Sequence, residues 1–233
     1  MLTEEAHHMF VGESGVERVV TRTAELMKED ANGDARAQGG IPLEMIQKHL
    51  NLWYTLSLDL FGSEVSSNAA SYFAAGLKGR AKESTYADHK ALDGTYRMSL
   101  MKDGVVTEDD VPLRNAMNEV LRDEYADDCQ RGVDRWNKRL AEADLAFRFA
   151  LPSKRFHRHI GLYANMPFSP DGRLLSQDEY DRHKDQWIPS EADRNYVRSL
   201  MQPVTEPGKI ANWLGKPKSG IKGLPFEYEY VRL

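Results

Sequence analysis

The sequence predicts a mainly α-helical protein, and three observations carry that prediction. Apolar residues recur at helical spacing in the first part of the chain: Val11, Val16, Val19, Val20, Leu26 and Met27, then Ile46, Leu50, Trp53, Leu56 and Leu60. A long charged stretch after Pro112 keeps Leu113, Met117, Val120, Leu121 and Tyr125 on one side. Strand-like alternation is confined to short pieces, the clearest being Thr95 to Val106 with Lys102-Asp103-Gly104 at its turn.

Taken in order, the first helix spans Met1 to Glu29, interrupted by Gly12 and Gly15. Each glycine costs about 1 kcal/mol relative to Ala. Asn32-Gly33 and Gly39-Gly40 mark a loop. Pro42 opens a second helix over Leu43 to Leu60, and Gly62 ends it. A third helical stretch runs from Ser67 to about Leu77. The Thr95–Val106 hairpin follows, then the charged helix from Pro112 towards Ala143. From Leu145 the texture changes, because Pro152, Pro167, Pro170 and Pro189 break runs such as Phe147-Arg148-Phe149. A loop-rich region with short strands is expected there, with one helix over Ser190 to Met201. The tail holds five Gly and Pro residues between Gly215 and Pro225 and should lie extended over another surface. There is no internal repeat and no low-complexity linker.

A chain of 233 residues forms one large domain or two small ones. With 41% hydrophobic and 29% charged residues it reads as soluble and globular, and a net charge of −5 gives no case for nucleic acid. The one cysteine, Cys129, excludes an internal disulfide and fits the reducing cytoplasm. Its neighbours Asp127 and Asp128 should raise its thiol pKa, which points to a structural residue. No apolar run approaches the ~20 residues of a membrane helix. The start has neither a basic nor an apolar signal-peptide region. Trp53, Trp136, Trp187 and Trp213 read as packing residues.

The chemistry sits in Glu4-Glu5-Ala6-His7-His8. Residues three apart share a helix face, so Glu5 and His8 can offer a carboxylate and an imidazole to one metal ion. A four-helix di-iron carboxylate site uses two such Glu-x-x-His pairs plus one bare carboxylate from each of two other helices. Beyond His7 and His8 the histidines are His49, His89, His157, His159 and His183, preceded at three residues by Ile46, Tyr86, Lys154, Phe156 and Tyr180. None of these is a carboxylate, so the expectation is half of a metal site. A surface helix of mixed charge is the competing reading. Met1-Leu2-Thr3 is a short lead-in for a ligand pair, and an upstream segment with the remaining donors is expected. A carboxylate-rich, imidazole-poor donor set suits iron or manganese better than zinc.

The stretch from Met1 to Thr23, with its Thr-Glu-Glu-Ala-His-His block, resembles the fourth di-iron helix of the benzoyl-CoA 2,3-epoxidase oxygenase component. The likeness continues through Phe73-Ala-Ala-Gly-Leu-Lys-Gly-Arg80 and Leu151-Pro-Ser-Lys-Arg-Phe-His-Arg158. The resemblance implies a partial ferritin-like di-iron bundle. Its C-terminal core helices would lie in residues 1–94, and a family-specific region of mixed helix, short strands and loops in 95–233. Glu5 and His8 would supply two of six iron ligands, with Glu4 and His7 as flanking residues. The other ligands would belong to an N-terminal half upstream of Met1, and the face of the first helix towards it should be bare.

The implied reaction epoxidises the ring of benzoyl-CoA with dioxygen and electrons from a separate NADPH-dependent reductase, in aerobic benzoate degradation in the cytoplasm. Two basic runs become candidates for the phosphates of coenzyme A: Lys78, Arg80 and Lys82, and Lys154, Arg155 and Arg158. Phe156 would be available to stack on adenine. A basic helix end and a solvated alternating strand explain the two runs equally well. A different class of function also stays open: a scaffold that binds an acyl-CoA or a partner protein without iron.

Overall fold

The computed structural model describes residues 2–66, 94–103, 105–201, 203 and 210–217, with the side chains of residues 2–7 and 9 outside the description. Among these residues the protein is mainly α. Five helices, α1 (Leu2–Glu29), α2 (Leu43–Asp59), α3 (Met117–Glu142), α4 (Gln177–Trp187) and α5 (Glu191–Ser199), accompany one hairpin, β1 (Thr95–Lys102) and β2 (Val105–Pro112). The expected helix over Ser67 to Leu77 lies outside the described residues. The chain forms two compact units built from interleaved segments, residues 1–50, 131–150 and 184–233 in one and residues 51–130 and 151–183 in the other.

In the first unit the apolar stripe of α1 buries Val20, Ala24 and Leu26, and the second half of α3 buries Val133, Trp136 and Leu140. Two arginines of α3 reach carboxylates of α1. Arg135 forks onto Glu13, and Arg139 Nε donates to Glu17 at 2.5 Å. Both pairs are partly exposed, so each contributes about 1 kcal/mol or less. Gln47 makes a reciprocal pair with the backbone of Ala150, donating at 2.8 Å and accepting at 3.0 Å. Helix α5 starts at a capping box between Ser190 and Asp193. Most of the Gly215–Pro225 tail lies outside the described residues, but residues 210–217 bond to α1. The Gly215 amide donates to Arg18 O at 3.2 Å, and Arg22 Nε donates to Asn212 O at 3.0 Å. A Cβ on Gly215 would stand 2.9 Å from that Arg18 oxygen, so glycine permits the approach.

The second unit holds the hairpin, whose register runs from Thr95↔Pro112 to Lys102↔Val105. Asp103, with φ of 51°, takes the left-handed conformation that a two-residue Asp-Gly connection requires. Met98 is the buried anchor of β1. Tyr54 of α2 stacks on Tyr125 of α3 with centroids 6.4 Å apart, and Phe61 tilts against the same ring. Leu58, Phe156 and Phe168 complete this core.

Several expectations change. Pro112 ends β2 instead of opening the helix. A short 3-10 turn over Leu113–Asn115 follows, and α3 begins at Met117. The region after Leu145 carries an isolated bridge, Phe168↔Leu174, where short strands were expected. Lys154–His157 is a turn, closed by Phe156 N–H donating to Ser153 O at 2.9 Å and by a left-handed His157 at φ 50°, and Arg158 and His159 follow it as irregular chain. Strand alternation therefore does not apply to this run. Phe156 is fully buried in the core, with no face for adenine. Trp136 packs as expected, but Trp53 is 63% exposed because the buried stripe of α2 runs through Leu43, Ile46, Tyr54 and Leu58 instead. The Cys129 thiol is raised as predicted, but the cause is burial, opposed by Tyr125, and not the neighbouring Asp127 and Asp128.

Gly161 sits in the second unit at φ 87°, where a Cβ would fall 2.5 Å from Glu64 Oε2. Gly161→Ala should therefore cost about 1–3 kcal/mol, from left-handed strain and loss of the seat of Glu64. Urea denaturation checks this, with the midpoint moving down and the slope unchanged.

Candidate functional site

Two places gather chemistry. The first is the N-terminal part of α1, whose helical backbone puts Glu5 and His8 three residues apart. At that spacing a carboxylate and an imidazole reach a shared point beside the helix. His8 is exposed, and the side chain of Glu5 lies outside the description. Next to them Phe10 and Val11 are 67% and 51% exposed. Among the described residues no group of three or more His, Cys, Asp or Glu side chains gathers as a metal site. The donor chemistry of Glu5 and His8 thus fits one part of an iron site.

The second place is a cavity of about 200 Å³ in the unit of the hairpin. Four cations line it (Arg122, Lys154, Arg155 and Arg158) against two carboxylates, Glu64 and Glu119. The hydroxyls of Ser99, Ser153 and Tyr163 complete the wall. The sequence brings Lys154, Arg155 and Arg158 here because their turn follows Pro152 and is pinned by Phe156 in the core. Lys78, Arg80 and Lys82 lie outside the described residues.

The four cations are in different states. Arg158 is 2% exposed; its Nε donates to Asp59 at 2.5 Å, and its other nitrogens donate to Lys154 O and Ile160 O at 3.2 Å. Asp59 also accepts the His159 amide at 2.9 Å. Arg122 is equally buried, donating to Gly62 O at 2.6 Å and to Glu119. Lys154 pairs with Asp123 and, at 3.4 Å, with Glu119. Burial pulls its pKa down, and these carboxylates outweigh burial, so the ammonium is held. Asp123 in turn accepts from Tyr96, whose pKa rises through burial and that carboxylate. Arg155 differs from the other three. Its guanidinium lies 5.2 Å from the Tyr163 ring centre and 5.9 Å from that of Phe168, with no carboxylate partner among the described residues. Sequence reasoning missed Asp59, Glu64, Arg122 and Asp123, because nothing local marks a lone charged residue as buried.

Behind the turn, His157 Nδ1 and Tyr180 Oη lie 2.7 Å apart, and the His159 ring is edge-on at 4.8 Å. Burial and then His159 lower the pKa of His157, with Asp59 opposing weakly; burial pushes Tyr180 up to about 12. The unfolded chain therefore binds a proton near pH 6.5 that the folded protein refuses. This histidine leaves stability intact above about pH 6.5 and erodes it as pH falls below. Denaturation at about pH 7.5 and 5.5 should show a smaller loss for His157→Gln than for the parent.

Among the described residues no helix is long and apolar enough to cross a membrane. No protein-family model matches the sequence. The whole chain is 50% identical, over 237 aligned positions, to a protein of Aromatoleum evansii named benzoyl-CoA oxygenase component B. It spans 50% of the length of that relative.

Proposed function

We propose that this chain is the C-terminal portion of the oxygenase component of a benzoyl-CoA 2,3-epoxidase. The observation that carries the reading is the 50% identity along the entire chain to a benzoyl-CoA oxygenase component. In the complete protein Glu5 and His8 would hold part of a ferritin-like di-iron centre, with electrons supplied from NADPH through a separate reductase; one atom of dioxygen would enter the ring of benzoyl-CoA and the other would leave as water. When bound, iron supplies the means of activating dioxygen, which no side chain does alone. Glu5 offers an anionic oxygen donor and His8 a neutral nitrogen. The remaining donors come from an N-terminal half that the chain does not contain.

Exposed Phe10 and Val11 beside the Glu5–His8 pair support a face covered in the complete protein. Arg155, with Lys154 and Arg158 behind it, and Lys78, Arg80 and Lys82 serve the phosphates of coenzyme A. Arg158 and Lys154 act by shaping that ground, since their charges are matched by Asp59 and Asp123. The setting is the cytoplasm.

The test is an oxygenation assay. The complete protein, reductase, NADPH and benzoyl-CoA are mixed in air, and product is followed by mass. Benzoyl-CoA-dependent NADPH oxidation with a product heavier by one oxygen atom is expected. Tight benzoyl-CoA binding with no oxygen uptake by iron-loaded protein would favour the iron-free scaffold instead.

A further inference from the structure

The cavity in the hairpin unit holds one unspent acceptor and one unspent donor. Glu64 is 7% exposed, lines the cavity and accepts the Leu162 amide at 2.6 Å through Oε2. Its other oxygen, Oε1, is buried with no hydrogen-bond partner among the described residues, and the nearest Arg122 nitrogen is 3.8 Å away. That separation is an ion pair and not a hydrogen bond, and a buried carboxylate oxygen with no hydrogen bond carries a desolvation cost until something donates to it. Arg155 has the reverse need. Two aromatic rings hold its guanidinium in place while its N–H donors face no carboxylate among the described residues.

Of the four lining cations, Arg122, Lys154 and Arg158 already pair with Glu119, Asp123 and Asp59, so it is Arg155 that favours an anion here. A fully ionised anion, however, would meet the lone pairs of Glu64. The ligand that answers all three is an anion that still carries an O–H. A phosphate monoester fits, because its second ionisation lies near pH 6.

We propose that this cavity is a phosphate-monoester site, in which Arg155 grips the anionic oxygens and Glu64 Oε1 accepts the ester's remaining O–H. Resting on the acyl-CoA reading above, the ligand group is the 3′-phosphate of coenzyme A, its one phosphate monoester. Free phosphate shares the chemistry and is the other source. Glu64 makes the site selective, since sulfate has the same shape and no proton to give.

Titration calorimetry at pH 6, where about half of a phosphate monoester keeps its proton, tests this. The probes are inorganic phosphate, inorganic sulfate and adenosine 3′,5′-bisphosphate. Phosphate and the bisphosphate should bind at least about tenfold more tightly than sulfate. Arg155→Met should weaken phosphate binding by about tenfold or more. Glu64→Gln, whose amide can donate, should let sulfate bind as well as phosphate. Arg155 is exposed, so its variant keeps the test valid even if Glu64→Gln fails to fold. Equal affinity for sulfate and phosphate, or no effect of Arg155→Met, would overturn the site. Tighter binding of the bisphosphate than of phosphate supports coenzyme A as the source. Equal binding of the two supports the cavity as a free-phosphate site and counts against the acyl-CoA reading alone.

Discussion

Arg158→Met should lower the unfolding free energy by about 3–5 kcal/mol, the largest loss expected from any single charge in the protein. The reason is what remains behind. Asp59 is 8% exposed, and its partner at 2.5 Å is the Arg158 guanidinium. Removing that guanidinium leaves a buried anion with the His159 amide as its remaining hydrogen bond, and frees the carbonyls of Lys154 and Ile160. The surviving amide bond places the loss nearer the lower end of the range. Adding Asp59→Asn should recover much of it, because the uncompensated charge goes too. Urea denaturation of the two single variants and the double variant measures this. A loss under about 1 kcal/mol would mean that the pair is solvated.

His8→Ala should abolish oxygenation of benzoyl-CoA while leaving folding stability within about 0.5 kcal/mol of the parent. The side chain is exposed near the start of α1, far along the helix from the buried stripe at Val20, Ala24 and Leu26. A structural histidine there would lower the urea midpoint on removal, whereas a metal ligand loses activity with the midpoint kept. Product yield and urea midpoint, taken on one preparation, separate the two roles.

The sequence carried the helices well wherever one face is apolar. α1 and α2 span the residues that the stripes mark, although α2 ends at Asp59 and buries Leu43, Ile46, Tyr54 and Leu58 while Trp53 and Leu60 are exposed, and the two strands of the hairpin flank Asp103-Gly104 as expected. α4 escaped notice because its composition is almost wholly polar, with Tyr180 as its buried residue. Its signal was present in Ser176-x-x-Glu179, where the Glu179 amide donates to Ser176 Oγ at 3.2 Å. The Lys154–His159 run was legible as basic and illegible as a turn, since its shape depends on a left-handed His157 and a buried Phe156. Glu64 was illegible for a similar reason. Its burial follows from Gly161 approaching closely from 97 residues away in sequence (161 − 64), which no local pattern announces.

The central claim is that Glu5 and His8 hold iron. The most direct measurement is iron per protein in the complete oxygenase component, loaded anaerobically with ferrous iron and desalted, beside the Glu5→Ala/His8→Ala variant. The account predicts about two irons in the parent and a loss of most of that iron in a folded variant. Equal iron in both would contradict it.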